Sequence, residues 1–302
     1  MARVLITGAD GFTGRHLAPL LRARGHEVHG LVRQLPSEAE TLTAGLHHAY
    51  ACNLLDEAGL KALVLKVQPQ AVAHLAGIAF VAHGDVQAIY ATNVVGTRNL
   101  LVALAALALP PASILLASSA NVYGNSGAGE LDEQTPPAPA NDYAVSKLAM
   151  EYMAKTWMDK LPITLVRPFN YTGVWQSPDF LLPKIVNHFR DRAPVLELGN
   201  LDVERDISDV RMAVDAYTRL LEQPQPGQTF NVCSGQGYAL RDILALASSL
   251  TGHQPEVRVN PAFVRANEVK RLVGRKAALE AAIGPVHPIA LADTLRWMLA
   301  CA

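Results

Sequence analysis

Short apolar runs, often β-branched, recur along the first two-thirds of the chain, separated by stretches whose apolar positions fall at helical spacing. Residues 4–7 are apolar and stop at Gly8, the pattern of a strand buried on both faces. Residues 11–24 carry Phe12, Leu17, Leu20 and Leu21 at helical spacing, and Gly25 supplies a C-terminal stop. Residues 27–32 form the next predicted strand, and weaker ones follow at 48–52, 71–75, 114–117 and 163–166. Helices are predicted between them over 56–67, 85–109 and 143–159. Such alternation predicts a doubly wound α/β fold, a parallel sheet covered on both faces.

Beyond about Asn170 the pattern changes. Proline-punctuated loops alternate with shorter helices at 181–190, 209–222, 240–250 and 289–299, and two short strands at 229–232 and 257–259. The chain therefore divides into a parallel-sheet domain, 1–168, and a smaller mixed C-terminal lobe, 169–302, with some chain returning to the main sheet. The substrate is expected in the cleft between them.

Composition narrows the class. Half of the 302 residues are apolar and 18% are charged, which excludes a disordered chain. Net charge is −1 and the basic residues are scattered, so no nucleic-acid partner is expected. The three cysteines, Cys52, Cys233 and Cys301, make no self-contained disulfide framework and fit a reducing compartment. The N-terminus lacks the apolar core of a signal peptide, and residues 100–109 are about half the length a bilayer requires. A cytoplasmic protein without membrane contact is expected. His26, His29, His47 and His48 have no metal-ligand partner at useful sequence spacing, so packing or solvent roles and no metal are expected. His74 reads as structural, and Trp157, Trp175 and Trp297 as packing residues.

Thr7-Gly8-Ala9-Asp10-Gly11-Phe12-Thr13-Gly14 joins the first strand to the first helix, where a Rossmann-type fold binds a dinucleotide. Gly8 would make the turn, Gly11 would admit a pyrophosphate, and Gly14 would let helix approach sheet. Phe12 and Thr13 open the helix whose N–H groups face the phosphates. The second strand ends Leu31-Val32-Arg33-Gln34, without the carboxylate that holds ribose hydroxyls in NAD enzymes. Arg33 can pair with an extra phosphate, so NADP(H) is favoured and NAD(H) remains possible.

Tyr143 and Lys147 stand four apart at the start of a predicted helix and share one face. A nearby ammonium would favour phenolate and lower the Tyr143 pKa, while Lys147 could also hold the nicotinamide ribose. Ser119 follows the fifth strand, where its hydroxyl could donate to a substrate carbonyl.

These segments, with His74-Leu75-Ala76-Gly77, Asn93-Val94-x-Gly96-Thr97, Ser118-Ser119-x-x-Val122-Tyr123-Gly124 and Arg167-Pro168-Phe169-Asn170, resemble the extended short-chain dehydrogenase/reductases, the family of nucleotide-sugar epimerases, dehydratases and reductases. The resemblance spans essentially the whole chain. It implies Ser119, Tyr143 and Lys147 as catalytic triad, Asn53 and Leu54 beside the adenine, Leu75 and Ala76 along the dinucleotide, and Pro168 and Phe169 at the nicotinamide. Asn53 departs from the family's usual Asp, although an amide can also bond the adenine amino group. The helix ending near Leu109 and the one after Lys147 match helices that pair across a two-fold axis in the family, implying a homodimer built as a four-helix bundle.

Sugar-nucleotide dehydratases of the family carry an Asp-Glu pair where this chain has Ala120 and Asn121, so dehydration is not expected. The segment from Gly199 through Arg205-Asp206 to Arg211, with Arg265-x-x-Glu268-Val269, is similar to that of GDP-mannose dehydratases and their partner reductases. It implies a GDP-sugar substrate, with Arg205 and Arg265 on the diphosphate and Glu268 on ribose hydroxyls. Lys184 would contact the nucleotide, and Asn170 and Asn121 the sugar end. The expected reaction is NADPH-dependent reduction of the C4 ketone of GDP-4-keto-6-deoxy-D-mannose to GDP-D-rhamnose. The alternatives are a nucleotide-sugar 4-epimerase with bound NAD and a non-catalytic NADP(H)-sensing protein.

Overall fold

The computed structural model describes residues 1–79, 85–126, 129–264 and 269–301. Its strands are β1 (Arg3–Thr7), β2 (Glu27–Val32), β3 (His48–Ala51), β4 (Ala71–His74), β5 (Ser113–Ala117), β6 (Ile163–Pro168), β7 (Asn170–Thr172), β8 (Val195–Leu198), β9 (Glu204–Asp209), β10 (Thr229–Val232), β11 (Gly237–Ala239), β12 (Glu256–Val259) and β13 (Arg271–Leu272). Its α-helices are α1 (Phe12–Ala23), α2 (Glu38–Thr43), α3 (Glu57–Val67), α4 (Val86–Tyr90), α5 (Thr97–Ala105), α6 (Asp142–Lys155), α7 (Leu181–Arg190), α8 (Val210–Glu222), α9 (Leu240–Thr251), α10 (Ala277–Ile283) and α11 (Leu291–Ala300).

Seven strands form one parallel sheet in the order β10-β6-β5-β4-β1-β2-β3. Alternation along β1 explains its two cores. Val4 and Ile6 face α1 and α8, whereas Leu5 faces α3 and α5. Both faces at β1 are therefore apolar, and this strand reads as an apolar run rather than an alternating one.

The C-terminal part is interleaved with this sheet. β10 extends it beside β6, and α8 packs on α1, β4 and β5. A smaller sheet of β11, β9 and β13, with β7 also on β9, stands over the carboxyl edge. Helices α7, α9 and α11 cover a third core with Phe189, Ile207 and Leu295.

The long helix expected over 85–109 is interrupted. Residues Ala91–Gly96 form a π-turn between α4 and α5. Asn93 in that turn accepts from the Ile78 N–H (2.9 Å) and donates to Ser146 Oγ on α6 (3.0 Å). The wider turn thus ties the segment after β4 to the helix that carries Tyr143.

Candidate active site

The carboxyl edge of the main sheet opens onto a cleft of about 690 Å³. At one end lies the glycine turn. Gly8 adopts φ +70°, and a Cβ there would stand 2.9 Å from the backbone of Ala76. At Gly14 a Cβ would come 2.6 Å from Ala9 Cα, so helix and turn approach only because that position is bare. No side chain caps α1, leaving its first-turn N–H groups available to a phosphate. Gly8, Gly11, Phe12, Thr13, Gly14 and Leu75 line this end. Close backbone approach and an uncapped helix together fit a dinucleotide pyrophosphate.

Ser119, Asn121, Tyr143, Lys147, Pro168 and Phe169 line the middle of the cleft. Asn141 caps α6 by accepting from Ala144 N–H (2.9 Å), which fixes the turn on which Tyr143 stands. Tyr143 hydrogen-bonds the Ser119 hydroxyl, and Lys147 Nζ donates to the Ala117 carbonyl (2.8 Å). Ser119 Oγ accepts from the Asn121 backbone N–H (3.2 Å) and from Asn121 Nδ2 (3.1 Å). With both lone pairs occupied, its own proton is directed away from Asn121. All three sequence-predicted groups are thus brought to one wall.

Electrostatics differ from the sequence expectation at Tyr143. Burial pushes its pKa up to about 12, against a smaller lowering by Ser119. Lys147, its ammonium on the Ala117 carbonyl, does not offset that burial. Burial pushes Lys147 down to about 8, opposed by Glu151. The phenol is therefore a protonated donor at neutral pH, and the lysine titrates near the working range.

A buried ion pair supports this wall. Arg167 on β6 grips Glu151 on α6 through two hydrogen bonds (2.9 and 2.7 Å), and Ser118 Oγ donates to the same carboxylate (2.5 Å). Arg167 also donates to Tyr123 Oη (3.1 Å), which donates to Asn231 (2.7 Å). His74 is buried between Thr7 and Thr97, its pKa pushed down to about 3 by burial. It is a neutral structural group, as its position in the strand-end motif implied.

Other sequence-predicted positions divide. Asn170 and Arg205 line the cleft on its C-terminal side. Arg205 Nη1 donates to the Glu204 and Lys270 carbonyls, while Asp206 is buried and accepts from Ser234 and Gly235 N–H groups, so the two are not a surface ion pair. Lys184 is not part of the lining. Its Nζ donates to the Glu197 carbonyl (2.8 Å) and lies over the Phe263 ring. Arg33, Asn53, Leu54 and Ala76 are also absent from the described lining. Arg33 is 94% exposed with Nε 3.8 Å from Asp10 Oδ2, and Ala76 is held against Gly8. Asn53 Oδ1 accepts from the Leu55 N–H, and the Leu54 side chain is buried in the core against Gly96. Arg265 and Glu268 lie outside the described residues.

Sequence reasoning missed several lining residues. Trp175, expected in packing, is 62% exposed, adopts φ +70° and stacks on His16 at the cleft mouth. Tyr171 stacks on Phe12 and hydrogen-bonds Thr13 (2.7 Å), linking β7 to the glycine turn. Both follow Arg167-Pro168-Phe169-Asn170 directly, so extending that motif by a few residues would have included them.

Comparison with known proteins agrees with this geometry. The family model for GDP-mannose 4,6-dehydratase matches residues 5–298. The chain is 32% identical to a GDP-6-deoxy-D-talose 4-dehydrogenase of Aggregatibacter actinomycetemcomitans, over 93% of this chain and 91% of the relative. It is 33% identical to a GDP-6-deoxy-D-mannose reductase of Pseudomonas aeruginosa, over 98% and 96%. Among solved structures, a proposed epimerase from Burkholderia cenocepacia superposes with TM-score 0.91 at 49% identity, covering 98% of this chain and 96% of that one. RMD from P. aeruginosa, complexed with NADPH, gives TM-score 0.85 at 32% identity over 99% and 98%. A UDP-glucose 4-epimerase of Thermus thermophilus in complex with NAD gives 0.85 at 26% identity over 98% and 97%. With a family match spanning nearly every element of the fold, the chain belongs to the GDP-mannose 4,6-dehydratase family within the extended short-chain dehydrogenase/reductases and is a nucleotide-sugar oxidoreductase.

Proposed function

We propose that this protein reduces the C4 ketone of GDP-4-keto-6-deoxy-D-mannose with NADPH, giving GDP-D-rhamnose. The observation that carries the reading is the shared wall of Ser119, Tyr143 and Lys147, with Ala120 and Asn121 where a dehydratase needs an acid and a base. Neither an alanine nor an amide can shuttle a proton at neutral pH. Reduced cofactor, when bound, supplies the hydride. Tyr143 gives its phenolic proton to the forming alkoxide at O4, and Ser119 donates a hydrogen bond to the same oxygen. Lys147 holds the nicotinamide ribose and passes a proton back to Tyr143. Arg205 and Arg265 take the diphosphate, Glu268 the ribose hydroxyls, and Asn121 and Asn170 the sugar end.

The two curated relatives act, by their names, on GDP-6-deoxy sugars that differ at C4. They support the substrate class and leave two faces of the ketone available. The C4 epimer, GDP-6-deoxy-D-talose, forms if the sugar presents its other face. For the cofactor, exposed Arg33 and a strand end without a carboxylate support NADP(H), with NAD(H) the alternative. Exposed Val95, Val145 and Tyr152 on the π-turn and α6 suit a homodimer built by helix pairing. No described helix is long and apolar enough to cross a membrane, in keeping with the proposed cytoplasmic location.

Supplying the keto-sugar and following NADPH oxidation tests the reading. Turnover by the wild type and its loss in Tyr143→Phe are expected. Silence from the wild type, or full activity in the variant, refutes it. The B. cenocepacia neighbour favours a second reading, nucleotide-sugar 4-epimerisation. That reading requires oxidised cofactor to co-purify and no net NADPH consumption, which an absorbance spectrum of the purified protein decides.

A further inference from the structure

The amino edge of the main sheet, opposite the cleft, carries a second cluster of chemistry-bearing groups. β2 and β3 run parallel with His29 directly beside His48. Glu27 precedes His29 by two residues and so shares its face of the sheet. His29 Nε2 is 3.1 Å and His48 Nε2 3.9 Å from Glu27 Oε1, and the three ligand atoms all lie within 4.8 Å of one another. Bonds of about 2.0–2.1 Å to a tetrahedral ion place ligand atoms roughly 3.3 Å apart. One gap already matches. The others would close through rotation of the His48 side chain, which is 57% exposed and lies beside the His29 ring with centroids 5.0 Å apart.

The other nitrogen of His29 is already held. Its Nδ1 hydrogen-bonds Tyr50 Oη (3.2 Å), and the two rings stack with planes 5° apart. A ligating histidine is ordinarily fixed in this way, with one nitrogen on a neighbour and the other presented to the ion. The nearest cation on β1, Arg3, is turned onto the Val67 and Gln68 carbonyls.

We propose that Glu27, His29 and His48 form a zinc site with its fourth position open to water. Two imidazoles and one carboxylate suit Zn²⁺, whereas Mg²⁺ and Ca²⁺ prefer all-oxygen sets. Because β3 is an edge strand, paired among the described residues with β2 alone, the ion would cross-link that edge to its neighbour. Its role is to stabilise the fold, at a distance from the reacting groups.

The test uses the whole chain after chelator treatment, titrated with Zn²⁺ against a chromogenic zinc indicator, with melting followed in parallel. One Zn²⁺ bound per chain and a melting temperature higher by a few degrees are expected. His48→Ala, at an exposed position, should abolish both effects while melting like the wild type without metal. Glu27→Gln should weaken binding at least tenfold. Cys301→Ser, which removes the exposed thiol, should bind as the wild type does. Co²⁺ should give a four-coordinate ligand-field spectrum without thiolate charge transfer. The proposal is overturned if the wild type shows no saturable binding, if His48→Ala binds equally well, or if binding depends on Cys301.

Discussion

Raising the pH from about 7 to about 9 should cost this enzyme roughly tenfold in kcat/KM, and Lys147 rather than Tyr143 should be responsible. Burial sets Lys147 to about 8 and Tyr143 to about 12, so only the lysine changes state across that interval. A group titrating at about 8 is roughly ten-elevenths protonated at pH 7 and roughly one-eleventh at pH 9, the basis of the tenfold loss. The ammonium is lost as pH rises because the folded value lies below the ordinary lysine value of 10.5. NADPH oxidation at saturating cofactor and limiting sugar, at constant ionic strength from about pH 6 to about pH 10, measures the limb. Lys147→Arg keeps a cation that does not titrate in this range, so the variant should be slower but flat. The same burial makes protonated Lys147 a cost to the fold, and stability should fall as pH drops from about 10.5 through about 8. Lys147→Met should therefore be inactive yet melt higher than the wild type at neutral pH. A flat wild-type profile, or an alkaline limb that persists in Lys147→Arg, would refute the assignment.

Four further outcomes are expected. Glu151→Ala strands Arg167 and the Ser118 hydroxyl in the core and should destabilise by about 3–5 kcal/mol in urea unfolding, whereas breaking the exposed Arg258–Glu256 pair should leave the unfolding midpoint almost where it was. Gly14→Ala drives a methyl group into the backbone of Gly8 and Ala9, so NADPH affinity by fluorescence titration should collapse along with about 1–3 kcal/mol of stability. Asn121→Ala removes one of two donors fixing Ser119 Oγ, worth near 1 kcal/mol or about fivefold in kcat, and with it the contact assigned to the sugar, so KM should rise as well. Arg33→Ala should weaken NADPH binding at least tenfold and leave NADH unaltered, and equal losses for both would remove Arg33 as the discriminating residue.

The main sheet was legible because most of its strands carry a short apolar run and most gaps between the first six have helical periodicity. β2, β10 and α7 match their predicted bounds, and the other main-sheet strands differ by a residue or two. The C-terminal half was harder to read. β9 is written Glu-Arg-Asp-Ile-Ser-Asp, a polar string, yet its last four residues are buried. Asp206 is solvated there by the Ser234 and Gly235 N–H groups, and Asp209 by Arg211 and Thr294. Burial by hydrogen bonding leaves no trace in an apolar pattern, so the strand reads as surface. The π-turn was likewise hidden within a helix, because it is imposed by the Asn93 contacts with Ile78 and Ser146.

The candidate site shows the same division. Glycine positions and the Tyr143–Lys147 spacing are local, so sequence reveals them. Their energetics are not local, and Tyr143 is displaced upward by burial that no motif encodes. His29 and His48 are far apart in sequence and become neighbours only because β2 and β3 pair in parallel register, with Glu27 on the same face. Spacing rules for metal ligands assume a single hairpin or helix, and this cluster is assembled by a crossover instead. A side chain from one strand is matched to its neighbour by register, so a shift of one residue in β3 would turn His48 to the other face of the sheet and leave Glu27 and His29 as a two-ligand pair. The pairing that builds the dinucleotide-binding sheet is therefore the same pairing that places those three groups within reach of one ion.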